Sequence, residues 1–104
     1  MYRVVHLGPI DSQGGMASVM KTLILNSPLG FISTSIATHS NGTIINKIKK
    51  FQIAKYELKK MIEEGLIDIA HIHVTHSISW WRKERLFKLC KVNNIPVVVH
   101  IHSG

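Results

Sequence analysis

At 104 residues, 45% of them hydrophobic, the chain holds one domain at most and has the apolar content of a globular fold rather than a disordered one. No apolar run reaches the ~18 residues a membrane-spanning helix needs, and the N-terminus enters a strand pattern without a signal-peptide core. The formal charge of +7 suits an anionic partner such as a nucleic acid, an anionic membrane surface or a phosphorylated substrate. The basic residues are densest from Lys47 to Lys60 and from Arg82 to Lys91, and each patch by itself reads as a solvated helix face.

Residues 2–7, with Val4, Val5 and Leu7, predict a first strand. The stretch Gly8-Pro9-Ile10-Asp11-Ser12-Gln13-Gly14-Gly15-Met16 follows, and then a segment of helical period. Strand, glycine-bearing loop and helix in that order aim backbone N–H groups and a helix N-terminus at one point, which suits a phosphate. The spacing is not the G-x-G-x-x-G of dinucleotide binders, and a tight turn would use the same glycines. Residues 15–26 form the first helix, with Met16, Val19, Met20 and Leu23 as its stripe, ended by Pro28 and Gly30.

Residues 31–38 read as a second strand and residues 40–43 as a turn. The longest helix covers residues 44–64, with Ile48, Phe51, Leu58, Met61 and Ile62 facing inward and Gly65 past its end. A third strand at 67–74 is followed by a loop at 75–79. A third helix at 79–93 turns Leu86, Leu89 and Cys90 inward, and a fourth strand runs from 96 to 101. Cys90, the single cysteine, excludes an internal disulfide, fits a reducing cytosol and reads as a small apolar core residue.

Strands alternating with helices predict an α/β fold, a Rossmann-like three-layer sandwich on a parallel sheet. Right-handed crossovers put all strand C-termini on one side, where ligands of such sheets bind. Three segments converge on that edge: Gly8 to Gly15, His73 to Ser77, and His100 to Gly104.

His71-Ile72-His73 and His100-Ile101-His102 are H-x-H pairs at strand spacing, so each pair points to one face. Such pairs can bind zinc. The nearest acidic residues, Asp11 and Asp68, are poorly placed to join them, so no metal is expected and chelators are expected to leave stability unchanged. His6, His71 and His100 lie deep in their strands and read as neutral, hydrogen-bonded core histidines. His73, His76 and His102 lie at strand ends or in loops, where they can meet a ligand. No nucleophile elbow, Walker loop or pair of carboxylates stands near the binding edge, so hydrolase and NTPase readings lack their central residues.

Four motifs occur in order: Val5-His6-Leu7-Gly8-Pro9, Gly14-Gly15-Met16-Ala17, Asp68-Ile69-Ala70-His71-Ile72-His73, and Pro96-Val97-Val98-Val99-His100-Ile101-His102-Ser103-Gly104. Together they resemble the N-terminal domain of a GT-B-fold, family 4 (group 1) retaining glycosyltransferase, especially its bacterial polysaccharide-assembly members. The resemblance implies strand order 2-1-3-4 in a partial domain with three helices, spanning residues 1–104. It implies that Gly14 and Gly15 reach the diphosphate of a nucleotide-sugar donor, that His102 faces the sugar as the catalytic residue, and that His73, Ser103 and Gly104 contact the acceptor. The family usually continues His102 as H-G; here Ser103 intervenes before Gly104. No metal or other cofactor is implied for donor binding, in keeping with the lack of an Asp-x-Asp motif. The acceptor is implied to be a saccharide or lipid-linked, and the place of work the cytoplasm, peripheral at the inner membrane face.

The family enzyme is roughly three to four times this length, in two Rossmann-like domains. The isolated chain is therefore expected to be inactive without the C-terminal domain and to self-associate through the uncovered edge of its fourth strand. Two other readings use the same residues. One is a flavodoxin-like module for a phosphate ligand. The other is a basic nucleic-acid or membrane-surface adaptor using Trp80-Trp81 with Arg82, Lys83 and Arg85. No nucleic-acid partner is expected on the preferred reading.

Overall fold

The computed structural model describes residues 2–8, 15–38, 43–74 and 80–101. The elements are β1 (Tyr2–Gly8), α1 (Gly15–Leu25), β2 (Phe31–Ala37), α2 (Ile44–Glu63), β3 (Ile69–Val74), α3 (Trp80–Val92) and β4 (Val97–Ile101). All strand pairings are parallel, in the order β2-β1-β3-β4. This is the Rossmann-like α/β arrangement that the alternation of strand and helix patterns predicts.

Strand alternation divides the sheet residues between two faces. Val5, Leu7, Ile36, Ala70, Ile72 and Val74 point to the face covered by α2, through Phe51, Ala54 and Leu58, and by α3, through Leu86 and Cys90. These residues form the main core, and each buried leucine in it is worth roughly 2–5 kcal/mol relative to alanine. Val4, His6 and Gly8 with Ile69, His71 and His73 point to the other face, where α1 packs. Its Ala17 and Met20 are buried and Leu23 half-buried.

The inward faces of two helices differ from the expected stripes. Ile48 is 47% exposed, and Ala54, one turn beyond Phe51, joins the buried face instead. On α1, Ala17 and Met20 are buried while Val19 is 37% exposed, and Met20 is the residue that meets the sheet at Gly8.

Helix ends follow local chemistry. The Thr43 hydroxyl accepts the Asn46 N–H at 3.2 Å and caps α2, an interaction worth about 1 kcal/mol. At its other end Gly65 adopts φ +68°, with Leu66 N–H bonded to Met61 O and Gly65 N–H to Ile62 O. The end of α3 repeats this pattern with Asn94 at φ +58° and Ile95 N–H bonded to Cys90 O. Both are Schellman turns, and both reverse the chain into the next strand. At the amino edge of the sheet, Asp68 Oδ2 accepts from Arg3 N at 2.7 Å and from Arg3 Nε at 3.3 Å. Asp68 thereby ties β3 to β1 and starts that strand later than its sequence suggests, at Ile69.

Candidate functional site

The strand order reverses direction between β1 and β3, which lie side by side with Leu7 opposite Ile72. Crevices at such reversals, beyond the carboxyl ends of the strands, are where open α/β sheets take ligands. Residues 9–14 connect the end of β1 to the start of α1, and Gly15 opens that helix. Gly14, His102, Ser103 and Gly104 lie outside the described residues, as do the segment 75–79 and its His76.

At Gly8 the sheet and α1 come close together. A Cβ there would lie 2.6 Å from Met20 Sδ and 3.2 Å from His73 Cβ. Gly8 O also accepts the Thr38 N–H at 3.0 Å, joining the ends of β1 and β2. On the other face, the buried Lys83 reaches from α3 to the Thr38 hydroxyl at 2.9 Å. The third helix was expected to present its basic residues to solvent. Lys83 is instead 5% exposed, with its amine held at the end of β2. That removes it from any flat basic patch shared with Arg85.

The main feature of the α1 face is a set of four imidazoles. Period-two alternation brings His71 and His73 to one side of β3, and the register sets His6 opposite His71 and His100 opposite His73. His6 Nδ1 lies 3.0 Å from His73 Nε2, and His71 Nε2 lies 3.3 Å from His100 Nδ1. The rings of His71 and His73 stack with centroids 4.3 Å apart and planes within 3°. His6 stands 4.7 Å from His71, and His100 stands 5.1 Å from His73.

Each nitrogen–nitrogen contact needs one N–H and one lone pair, so neutral rings satisfy it and a pair of imidazolium ions cannot. Burial, and next the positive charge His100 can carry, hold the His6 pKa below its ordinary value. Both favour the neutral ring at His6. His73 was expected at an open strand end, as an acceptor contact. It is fully buried instead, between His6, His71 and the strand end at Gly8. The more accessible members are His71 and His100, both half-buried.

His6, His71 and His73 each offer a ring nitrogen, and the three nitrogens lie within 4.8 Å of one another. Sequence reasoning grouped His71, His73, His100 and His102 as the set that could hold a metal and left His6 out. The available signal was that Val-Val-His-Leu and Ala-His-Ile-His carry histidine at matching distances from their strand ends. Only the β1–β3 register makes them neighbours. Beside them, a hollow of about 310 Å³ opens on this face, with Val4, His6, Leu23, Ile69, His71 and Val98 among its walls.

Asp68 faces away from all of this, at the amino edge. The Arg3 backbone N–H, with its side chain in support, holds the Asp68 carboxyl below the usual carboxylate range. Cys90 is buried in the opposite core, and burial pushes its thiol up to about 11.

Comparison with protein-family models, with curated protein sequences and with solved structures gave no match.

Proposed function

We propose that the chain is the acceptor-side part of a GT-B-type retaining glycosyltransferase, one that takes a nucleotide-sugar donor and a saccharide or lipid-linked acceptor in surface-polysaccharide assembly. The observation that carries this reading is the reversal of strand order at β1 and β3, with a glycine-bearing connection leading from that point into α1. A helix N-terminus at a switch point is a general anion site. The four motifs and their order supply the rest.

On this reading Gly14 and Gly15 let the backbone approach the donor diphosphate, and the α1 N-terminus stabilises its charge as the sugar leaves. His102 donates a hydrogen bond to the sugar, and Ser103 and Gly104 shape the acceptor side. His73, the other acceptor-side residue of the resemblance, is enclosed at the end of β3. A second Rossmann-like domain closes the cleft over the donor, so the chain by itself is expected to bind nucleotide weakly and transfer nothing. The net positive charge suits work at the anionic inner face of a membrane.

The test is a titration of the isotopically labelled chain with uridine and guanosine diphosphates and their sugar conjugates, in EDTA, followed by amide chemical shifts. Shifts centred on Gly8, Gly15 and residues 100–104 are expected. Shifts confined to the lysines of α2 and strongly salt-dependent would replace this reading with the basic-adaptor one. Absence of any shift at the carboxyl edge would overturn it.

A further inference from the structure

We propose that His6, His71 and His73 form a binding site for a zinc-like divalent transition-metal ion on the α1 face of the sheet. The inference does not depend on the glycosyltransferase reading.

Three imidazoles from two adjacent strands present ring nitrogens within 4.8 Å of one another. In a tetrahedral site with Zn–N bonds of 2.0–2.1 Å, neighbouring nitrogens stand roughly 3.3–3.4 Å apart. His6 Nδ1 and His73 Nε2 are already at 3.0 Å. The third nitrogen has on the order of 1 Å to close, within reach of a rotation about χ2. The Cα atoms are held by sheet pairing, so the ligand set is organised before an ion arrives.

The surroundings match. His100 Nδ1 lies 3.3 Å from His71 Nε2, the kind of outer partner that fixes the orientation of a metal-bound imidazole. The hollow bordered by His6 and His71 offers a route from solvent, and His71 is half-buried. A three-imidazole set leaves the fourth tetrahedral position to water. The donor chemistry is all imidazole, since Cys90 lies in the core of the other face. Such a site selects zinc, copper or nickel over magnesium and calcium. The expectation of no metal rested on the poor placement of Asp11 and Asp68 beside the H-x-H pairs; the third ligand is instead a histidine, His6, from the neighbouring strand.

The 104-residue chain is freed of metal with EDTA, dialysed and titrated with Zn²⁺ by calorimetry at neutral pH, while the histidine ring resonances are followed by NMR. One ion per chain is expected, with a rise in melting temperature and shifts on His6, His71 and His73. Co²⁺ should give the intense visible absorption of a tetrahedral site. His71→Gln should stay folded by circular dichroism and bind at least tenfold more weakly, whereas His39→Gln, at a histidine outside both the three-imidazole set and the described residues, should bind as the parent does. The ring shifts need no substitution, so they decide the matter even if His71→Gln unfolds. No saturable binding, or shifts falling on His39, His76 or His102 instead, would overturn the proposal.

Discussion

Met20 lies directly over Gly8, so close that a single methyl group on residue 8 would meet its sulphur at 2.6 Å. The end of β1 and the body of α1 can approach this far only because residue 8 has no side chain. Met20 is fully buried, which leaves its thioether little room to swing aside, and the His73 Cβ at 3.2 Å is anchored to β3. Gly8→Ala is expected to lower stability by about 1–3 kcal/mol in urea unfolding. Combining it with Met20→Ala should cost less than the sum of the two single changes. Strict additivity would show that the Met20 contact is not what requires glycine here.

The Lys83 amine and the Thr38 hydroxyl form a buried pair that joins α3 to the end of β2. Thr38→Val takes an acceptor from a buried amine and should cost about 1–3 kcal/mol. In a Lys83→Met background, which keeps the apolar stem, that cost should shrink. A double-mutant cycle should return a coupling of about 1 kcal/mol or more; zero coupling would mean that the bond contributes nothing.

Cys90 is fully buried and its thiol is raised to about 11, so the reactive thiolate is scarce at ordinary pH. Iodoacetamide at pH 8 is expected to leave the native chain unmodified and to label it quickly in denaturant. Rapid labelling of the native chain would place the thiol at the surface.

Asp68 has a lowered pKa through Arg3, so the unfolded chain binds its proton more readily than the folded one. Its contribution is complete above the ordinary carboxyl value of 3.8 and is lost as pH falls through the lower folded value. The stability gap between the parent chain and Asp68→Asn should therefore narrow in acid below that point, as read from urea midpoints at several pH values. A gap that stays constant with pH would rule out a role for the ionised carboxylate.

β4 is an edge strand whose Val98, Val99 and Ile101 are 49%, 42% and 67% exposed. No strand among the described residues pairs with its outer side. Edges of this kind recruit other chains, and a charge on the edge discourages it. Light scattering over a dilution series should show self-association, and Ile101→Lys should suppress it. A parent chain that stays monomeric at high concentration would show the edge to be protected.

The fold was legible because its signals are local. The apolar run Ile95 to Val99 marks a strand, although at the sheet edge it leaves Val98 and Val99 exposed; Gly65 marks a helix end, and alternation fixes the class. Leu86 and Cys90 were found inward for the same reason. The histidine cluster was only half legible. That His71 and His73 share a face follows from the period of a strand, but that His6 joins them depends on register, which tertiary pairing sets. Lys83 escaped for a related reason. A helical pattern shows which side is mostly apolar, but not that a lysine near the sheet's carboxyl edge will find a hydroxyl 45 positions earlier, just past the end of β2.

Finally, of the four strands β1 is made first and lies at the centre of the sheet, between β2 and β3. During synthesis it can pair with β2 once residue 37 has emerged, but its other edge waits for residues up to Val74. At roughly 5–20 residues per second, the edge carrying Val5 and Leu7 stands open on the ribosome for seconds. A parallel sheet allows no local hairpin to close that gap sooner. The long basic helix α2 is made during this interval, and its Phe51, Ala54 and Leu58 then cover the apolar side of a sheet only half assembled. Nascent chains stalled between residues 45 and 70 should therefore bind trigger-type holdase chaperones most strongly, and release them once β3 is out.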